Sequence, residues 1–325
     1  MQENLKISII VPVYNVEPYI TRCLQSVMHQ TYAGPMECIL VDDCGRDNSV
    51  VIAEKHISDY NGPISFSIYH HEHNRGLSAA RNTGTDNATG DYIFYLDSDD
   101  ELPIDAVEKL VGKVHEYPGI DMVQGRIVSI PDNPFYDTTC FKEHSYVADN
   151  LWIRHAYYRI DDKTIPVNGC NKLLRTEFLK ENALYFKEGY IHEDEHWMWF
   201  LVKELSSMAF VFTPTYIRYY VPNSIMTSMT EEKDAIYVGE ILQDWIQNCD
   251  DISWKEQLKK ILYFYRKYNV NKYEAKHDIM FANRVFKVLF RYNQYISALY
   301  LIIWRTIKPF RDSSKLYRRI SENLK

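Results

Sequence analysis

Over its first hundred residues the chain repeats one unit: a short apolar run that closes on polar or acidic residues, then a stretch with helical spacing. ISIIVPVY (Ile7 to Tyr14), CILVDD (Cys38 to Asp43), SFSIYHH (Ser65 to His71) and DYIFYLD (Asp91 to Asp97) read as strands. Between them, Pro18 to Gln30, Ser49 to about Asp59 and Leu77 to Ala88 read as helices, the first with Ile20, Leu24 and Val27 on one face. Strand and helix alternating at this pace predict an α/β fold: a doubly wound, mostly parallel sheet with flanking helices. Ligands of such sheets sit outside the carboxyl ends of the strands, and two acidic clusters fall there.

Beyond Asp97 the pattern predicts a helix from Pro103 to about Tyr117, a strand from Met122 to Ile130, and an irregular polar stretch over 131–165. Cys170 to Asn182 and Asp194 to Leu205 read as helical, and Ala209 to Val221 as a late strand pair. From about Met229 the chain reads as mostly helical. The expected organisation is an α/β domain over 1–225 and a helical, basic region over 226–325. The chain has 325 residues and a formal net charge of −7. That charge divides into −19 over residues 1–251 and +12 over residues 252–325. A split of this size points to different partners for the two segments. An acidic balance excludes a protein that coats nucleic acid by charge, so no nucleic-acid partner is expected. Six cysteines without a C-x-x-C pair read as reduced thiols. Ile7 to Val13 is too short for a secretory core, and the longest bilayer candidate, Tyr292 to Trp304, has only 13 residues. A cytoplasmic station is the expectation.

Asp97-Ser98-Asp99-Asp100 closes the fourth strand. Carboxylates at i and i+2 beyond a strand end can share one hard cation that also holds phosphate oxygens. This one belongs to a set of five ordered motifs: VPVYN (Val11 to Asn15), VDD (Val41 to Asp43), HNRGLSAARNTG (His73 to Gly84), GDYIFYLDSDD (Gly90 to Asp100), and CNKLLRTEFL with HEDEHWMW (Cys170 to Leu179, His192 to Trp199). Together they resemble the family 2 glycosyltransferases of the GT-A fold, inverting enzymes of bacterial surface polysaccharides, over roughly residues 5–220. The resemblance implies a UDP-sugar donor, Mn²⁺ or Mg²⁺, and a glycan or polyprenyl-linked oligosaccharide acceptor in capsule, exopolysaccharide or lipopolysaccharide synthesis. It implies that Asp43 accepts a hydrogen bond from the uracil N–H and that Pro12 and Tyr14 wall the nucleoside pocket. It places Asp97 near the ribose, makes Asp99 the metal ligand, and sets Asn74 and Arg81 along the donor pocket, where a guanidinium offsets diphosphate charge. Asp42 is open to a turn-forming role and Arg75 to a solvated one. One departure stands out: Cys44-Gly45-Arg46 follows Asp43 where the family usually shows Gly-Ser and a variable residue.

His192-Glu193-Asp194-Glu195-His196 matches H-E-x-x-H literally, the pattern of a zinc hydrolase. No metzincin extension follows, and no acid within about 30 residues offers an obvious third ligand. In the family reading Glu193-Asp194 is the E-D pair, with Asp194 the general base that takes the acceptor hydroxyl proton. Asn171, Lys172, Glu193 and Trp197 are the acceptor-side candidates. Core packing and capping are the alternative for the Trp and for Asn168 to Lys172. His70-His71-Glu72-His73 lacks metal-site spacing and reads as solvated. A nucleotidyltransferase would need a Gly-rich triphosphate loop with Lys after Val13, and the segment there has neither. A non-catalytic nucleotide- or glycan-binding scaffold is a further alternative, against which the intact acids count.

Asn283 to Ile307 mixes Val285, Phe286, Leu289, Phe290, Ile302 and Trp304 with Arg284, Lys287, Arg291 and Arg305. A basic, aromatic-rich helix of this kind suits an anionic membrane surface, here the inner face of the plasma membrane, and a lipid-linked acceptor would make that location useful. The alternatives are a helical subdomain on the catalytic core or a dimer contact.

Overall fold

The computed structural model describes residues 4–131, 139–160, 165–222, 230–250, 252–268, 287, 290 and 291. The basic stretch Asn283 to Ile307 lies, apart from three residues, outside them. The strands are β1 (Ile7–Val13), β2 (Met36–Asp42), β3 (Ser65–His70), β4 (Tyr92–Tyr95), β5 (Met122–Ile130), β6 (Tyr146–Val147), β7 (Lys172–Arg175) and β8 (Met208–Tyr219). The helices are α1 (Ile20–Met28), α2 (Ser49–Ser58), α3 (Leu77–Asn87), α4 (Ala106–Glu116), α5 (Asn150–Tyr158), α6 (Thr176–Glu181), α7 (Glu193–Glu204), α8 (Glu231–Gln247) and α9 (Trp254–Lys267). Two compact units divide the chain: Met1–Ile153 with Ile165–Pro222, and Arg154–Thr164 with Asn223–Lys325.

In the first unit the strands form one sheet in the order β3-β2-β1-β4-β7-β5-β8-β6. The pairs β1/β2, β2/β3, β1/β4 and β5/β8 are parallel. β1 is buried along its whole length, as a near-continuous run of Ile and Val requires of a strand covered on both faces. Strand order reverses beside β1: β2 and β3 extend one way and β4 lies on the other side. This is the switch point at which the carboxyl ends of neighbouring strands open a crevice.

Small residues set the depth of α3. Ala79, Ala80 and Gly84 are buried, and a Cβ on Gly84 would come within 2.3 Å of Ile10 Cγ2. The helix therefore lies close against β1, and Arg81 on the same helix is carried inward to 1% exposure.

Three expectations are corrected. Cys170 to Asn182 is not one helix: Lys172–Arg175 forms β7, antiparallel to both β4 and β5, and only Thr176–Glu181 is helical. Leu, Lys and Arg favour helix locally, but pairing on both edges at the middle of the sheet overrides that preference. The strand pair expected over Ala209 to Val221 is one 12-residue strand, β8 (Met208–Tyr219). Pro214 sits where the β5/β8 register shifts between Gln124 and Ile127, so the missing N–H falls at a bulge. The stretch over 131–165 contains a 3₁₀ turn at Thr139–His144, then β6 and the whole of α5.

In the second unit α8 and α9 meet through Trp245 and Phe264, with ring centroids 5.3 Å apart. Arg154 Nη1 pairs with Asp250 Oδ2 at 2.6 Å. Lys260 is buried, donating to the Tyr157 carbonyl at 3.1 Å with its ammonium over that ring. Among the described residues no helix is long and apolar enough to cross a membrane.

Asp121, just before β5, ties three parts of the sheet. Its Oδ1 accepts from Arg175 Nη2 at 2.8 Å, and its Oδ2 accepts from the Ser206 N–H, the Ser206 hydroxyl and the Ser207 N–H. At 2% exposure these bonds have no ready substitute in water. Asp121→Ala is expected to lower the unfolding free energy by about 3–5 kcal/mol, measured by urea denaturation.

Candidate active site

Asp43 follows β2 and is 3% exposed. Its Oδ1 accepts from the Arg75 N–H at 2.8 Å and its Oδ2 from the Gly76 N–H at 2.8 Å. Gly76 has φ +91°, a conformation open to glycine, and it leads into α3. His71 donates from Nδ1 to Asp43 Oδ1 at 2.7 Å, and its Nε2 meets the Thr83 hydroxyl at 2.9 Å. The histidine cluster is therefore not solvated as a whole. The His71 side chain is buried at 5% exposure, and the exposed His70 pairs with Asp42 at 3.0 Å. Asp42 also accepts from the Gly45 N–H, which gives it the turn-forming role. The Arg75 side chain reaches Glu188 at 3.0 Å. Pro12 is buried in β1, while Tyr14 and Asn74 are exposed beside the strand ends.

The turn after β4 carries three acids, Asp97, Asp99 and Asp100. Asp97 Oδ1 accepts from Arg81 Nη2 at 2.9 Å. Asp100 is 4% exposed and uses both oxygens on β8, accepting from the Tyr216 hydroxyl and the Tyr219 N–H, each at 2.8 Å. Among the described residues no side-chain hydrogen bond holds the Asp99 carboxylate; its own N–H bonds it, and the charges of Arg218 and Arg22 favour its ionised form. Burial, then the charge of Asp97, pushes Asp99 up to about 6. Burial, then the charges of Asp99 and Asp97, pushes Asp100 up to about 8. Buried negative charge of this kind suits a hard divalent cation, although among the described residues no three His, Cys, Asp or Glu side chains form a metal cage by themselves.

Arg81 joins this turn to α7. Its Nη1 donates to Glu193 Oε1 at 2.9 Å and to Asp194 Oδ1 at 3.0 Å, while Nη2 holds Asp97. Burial works against its charge, but Asp194, Asp97 and Glu193 together raise its proton affinity above the ordinary value. The sequence reading set Arg81 against the donor diphosphate; at 1% exposure it serves instead as the bracket between the acids. Asp194 is partly open, its side chain 25% exposed, and only Oδ1 is committed to Arg81. Gly169 packs against that oxygen, since a Cβ there would come within 2.8 Å of it.

The acceptor-side candidates separate. Glu193 is brought to Arg81 beside Asp194. Trp197 is not a sugar platform: it is 1% exposed, stacks on Phe186 with centroids 4.4 Å apart, and donates Nε1–H to the Leu184 carbonyl. Asn171 and Lys172 lie at 0% exposure beneath the site rather than on its border. Lys172 donates its ammonium to the Asn168 carbonyl, and burial pushes it down to about 8 while Cys170 and Asp194 oppose. The zinc reading of H-E-x-x-H fails on geometry. His192 precedes α7 in a left-handed conformation, φ +62°, so it does not share a helical face with His196. His196 is itself buried between Tyr190 and Phe200.

The sequence reading missed His71, the Arg75 and Gly76 amides, and Tyr216. Asp43 and the run of three acids were visible, but these partners lie 28 to 119 residues away from them, beyond any local pattern.

The family model for glycosyl transferase family 2 matches residues 8–182. The chain belongs to that family. Among relatives of this family 2 chain, the glycosyltransferase GlyA of Streptococcus pneumoniae is 42% identical over 194 residues, which are 58% of this chain and 27% of GlyA. GlyG of the same organism is 28% identical over 250 residues, 75% of this chain and 80% of GlyG. The chain thus spans about a quarter of the length of GlyA but most of GlyG. S. aureus TarS 1–349 in complex with UDP-GlcNAc superposes with a TM-score of 0.70 at 21% identity, covering 98% of this chain and 91% of that one. A mannosyltransferase from Pyrobaculum calidifontis, solved with GDP-Man and Mn²⁺, gives a TM-score of 0.56 at 16% identity, covering 99% and 85%. The fold of this family 2 chain is the GT-A fold of such structures.

Burial, followed by the neighbouring charge of Asp194, pushes Glu193 up from an ordinary value of 4.5 to about 7. The native state therefore holds a proton that the unfolded chain has released, and stability falls as pH rises through that window. Glu193→Gln is expected to remove this slope. The stability of the variant relative to wild type should increase from about pH 4.5 to about pH 7 and level off above, as read by thermal unfolding at a series of pH values.

Proposed function

We propose that this chain is a metal-dependent, inverting glycosyltransferase that moves a hexosyl or N-acetylhexosaminyl group from a UDP-sugar to a hydroxyl of a glycan acceptor. One observation carries the reading: a single guanidinium holds the donor-side acid Asp97 and the carboxylate Asp194 on the opposite element. In this reading the sugar lies between the leaving diphosphate on the Asp97 side and the base Asp194. The acids of the turn fit Mn²⁺ or Mg²⁺, with Asp99 the ligand and Asp97 beside it. When bound, such an ion neutralises the charge that develops on the leaving diphosphate.

The residues of the chain supply the rest. Asp43 accepts from the uracil N–H as well as from the Arg75 and Gly76 amides of the adjoining loop, and Tyr14 and Pro12 wall the nucleoside. Arg81 fixes Asp194 through Oδ1, and the uncommitted Oδ2 takes the proton of the acceptor hydroxyl. The hydroxyl oxygen then bonds to the anomeric carbon as the bond to UDP breaks on the other face, which inverts that centre in one displacement without a covalent intermediate. The UDP-GlcNAc bound by TarS supports the choice of nucleotide, and the Mn²⁺ in the mannosyltransferase supports the metal. The net +12 of residues 252–325 supports a station at an anionic membrane surface and a polyprenyl-linked acceptor in surface-polysaccharide synthesis. The proposed organisation is a catalytic domain to about residue 225 followed by this basic region.

A thermal-shift screen of nucleotide sugars with and without Mn²⁺ should show a stabilisation specific to UDP and dependent on the metal. Stabilisation by other nucleotides alone would overturn the donor assignment. Asp194→Asn should keep UDP-sugar affinity while transfer falls by about 10²–10⁴-fold; near-normal turnover would remove Asp194 as base. Asp99→Ala should lose Mn²⁺-linked UDP binding in calorimetry.

A further inference from the structure

We propose that Tyr216 is a positioning residue for the cation: its hydroxyl sets the shape of the Asp97–Asp100 turn so that Asp97 and Asp99 face one ion. The inference rests on the metal-dependent reading above. Tyr216 belongs to β8, outside the residues that the family model matches.

The phenol is fully buried against Phe94, with centroids 6.4 Å apart. Its hydroxyl donates to Asp100 Oδ2 at 2.8 Å and accepts from the Asp97 N–H at 3.2 Å. One oxygen thus clamps the first and last acids of the turn, which the Asp100 N–H also closes by donating to the Asp97 carbonyl at 3.0 Å. β8 continues the clamp. The Tyr219 N–H holds Asp100 Oδ1 at 2.8 Å, and Glu101 and Ile217 exchange both backbone bonds at 3.2 and 2.9 Å. From the other side Arg22 donates Nη2–H to the Asp99 carbonyl at 2.5 Å and lies over the Tyr219 ring at 3.6 Å.

The consequence is a division of labour among three acids of the same type. Asp100 commits both oxygens to β8 and is removed as a ligand. Asp97 gives one oxygen to Arg81, and among the described residues no side chain hydrogen-bonds the Asp99 carboxylate. Adjacent carboxylates repel, and a free turn would spread them apart; the hydroxyl of Tyr216 opposes that spread. Phe at 216 would keep the ring but leave Asp100 Oδ2 without that donor and the Asp97 N–H without that acceptor. Groups that orient ligands from behind typically change metal affinity by about 10–100-fold when removed.

The test compares wild type, Tyr216→Phe, Asp100→Asn and the double variant in the full chain, by calorimetric titration of Mn²⁺ in the presence of UDP and by melting temperature. Each single variant should weaken Mn²⁺ about tenfold, with metal-free UDP affinity within twofold of wild type. The double variant should weaken it no further than about tenfold, because both changes break the same clamp. A lowered melting temperature with unchanged Mn²⁺ affinity would make Tyr216 structural only and overturn the proposal, as would independent losses that multiply to about a hundredfold. If Tyr216→Phe fails to fold, Asp100→Asn carries the same expectation from the other end of the bond. Wild type showing no Mn²⁺-linked UDP binding would refute the metal reading itself; metal-linked binding in wild type with no change in the variants would refute only the role of Tyr216.

Discussion

A buried guanidinium among three carboxylates is the interaction on which the site depends. Arg81 is 1% exposed, and taking its charge out of water costs several kcal/mol unless close partners compensate. Asp97, Glu193 and Asp194 are those partners, at 2.9 to 3.0 Å. Lysine would not replace it, because the planar fork is what reaches acids on two different elements at once. The approach of α3 to β1 through Ala79, Ala80 and Gly84 puts the fork at that depth. Packing of small residues and electrostatics of the site are thus one problem.

The sheet supplies the other half of the geometry. β1, β2 and β4 deliver Tyr14, Asp43 and Asp97 to the same edge because parallel strands end on the same side. β7 enters between β4 and β5 in the opposite sense, so residues just before it, Asn168 to Asn171, arrive at that edge from beneath Asp194. β8 then returns beside β5 and ties the acid turn through Tyr216 and Tyr219. Negative charge is left in excess at this edge. The structure meets it partly by raising the proton affinities of Asp99, Asp100 and Glu193, and a bound cation would meet more of it.

Legibility in the sequence followed the range of the interactions. β1 to β5 and the helices between them were readable because their signals, apolar runs and 3.6-residue spacing, are local. β7 was not: Lys-Leu-Leu-Arg carries no strand signature, and its conformation comes from pairing with Tyr92–Phe94 and Met122–Gln124. Trp197 illustrates the same limit in the site, since an aromatic next to an E-D pair suits a sugar platform until Phe186 and the Leu184 carbonyl claim its face and its N–H. His71 reverses the case: it stands in a run of polar residues that reads as surface, yet Asp43 and Thr83 bury it.

From the amino-acid sequence alone came the doubly wound class, the placement of acids at strand ends and the family motifs, because each is written in neighbouring residues and their periodicity. Tertiary structure alone decided which acid does what. Asp97, Asp99 and Asp100 are the same residue type within four positions, and they differ only because Arg81 from α3 takes one and Tyr216 from β8 takes another. A carboxylate's role is set by the donors that surround it, and those donors are brought by the fold from distant parts of the chain.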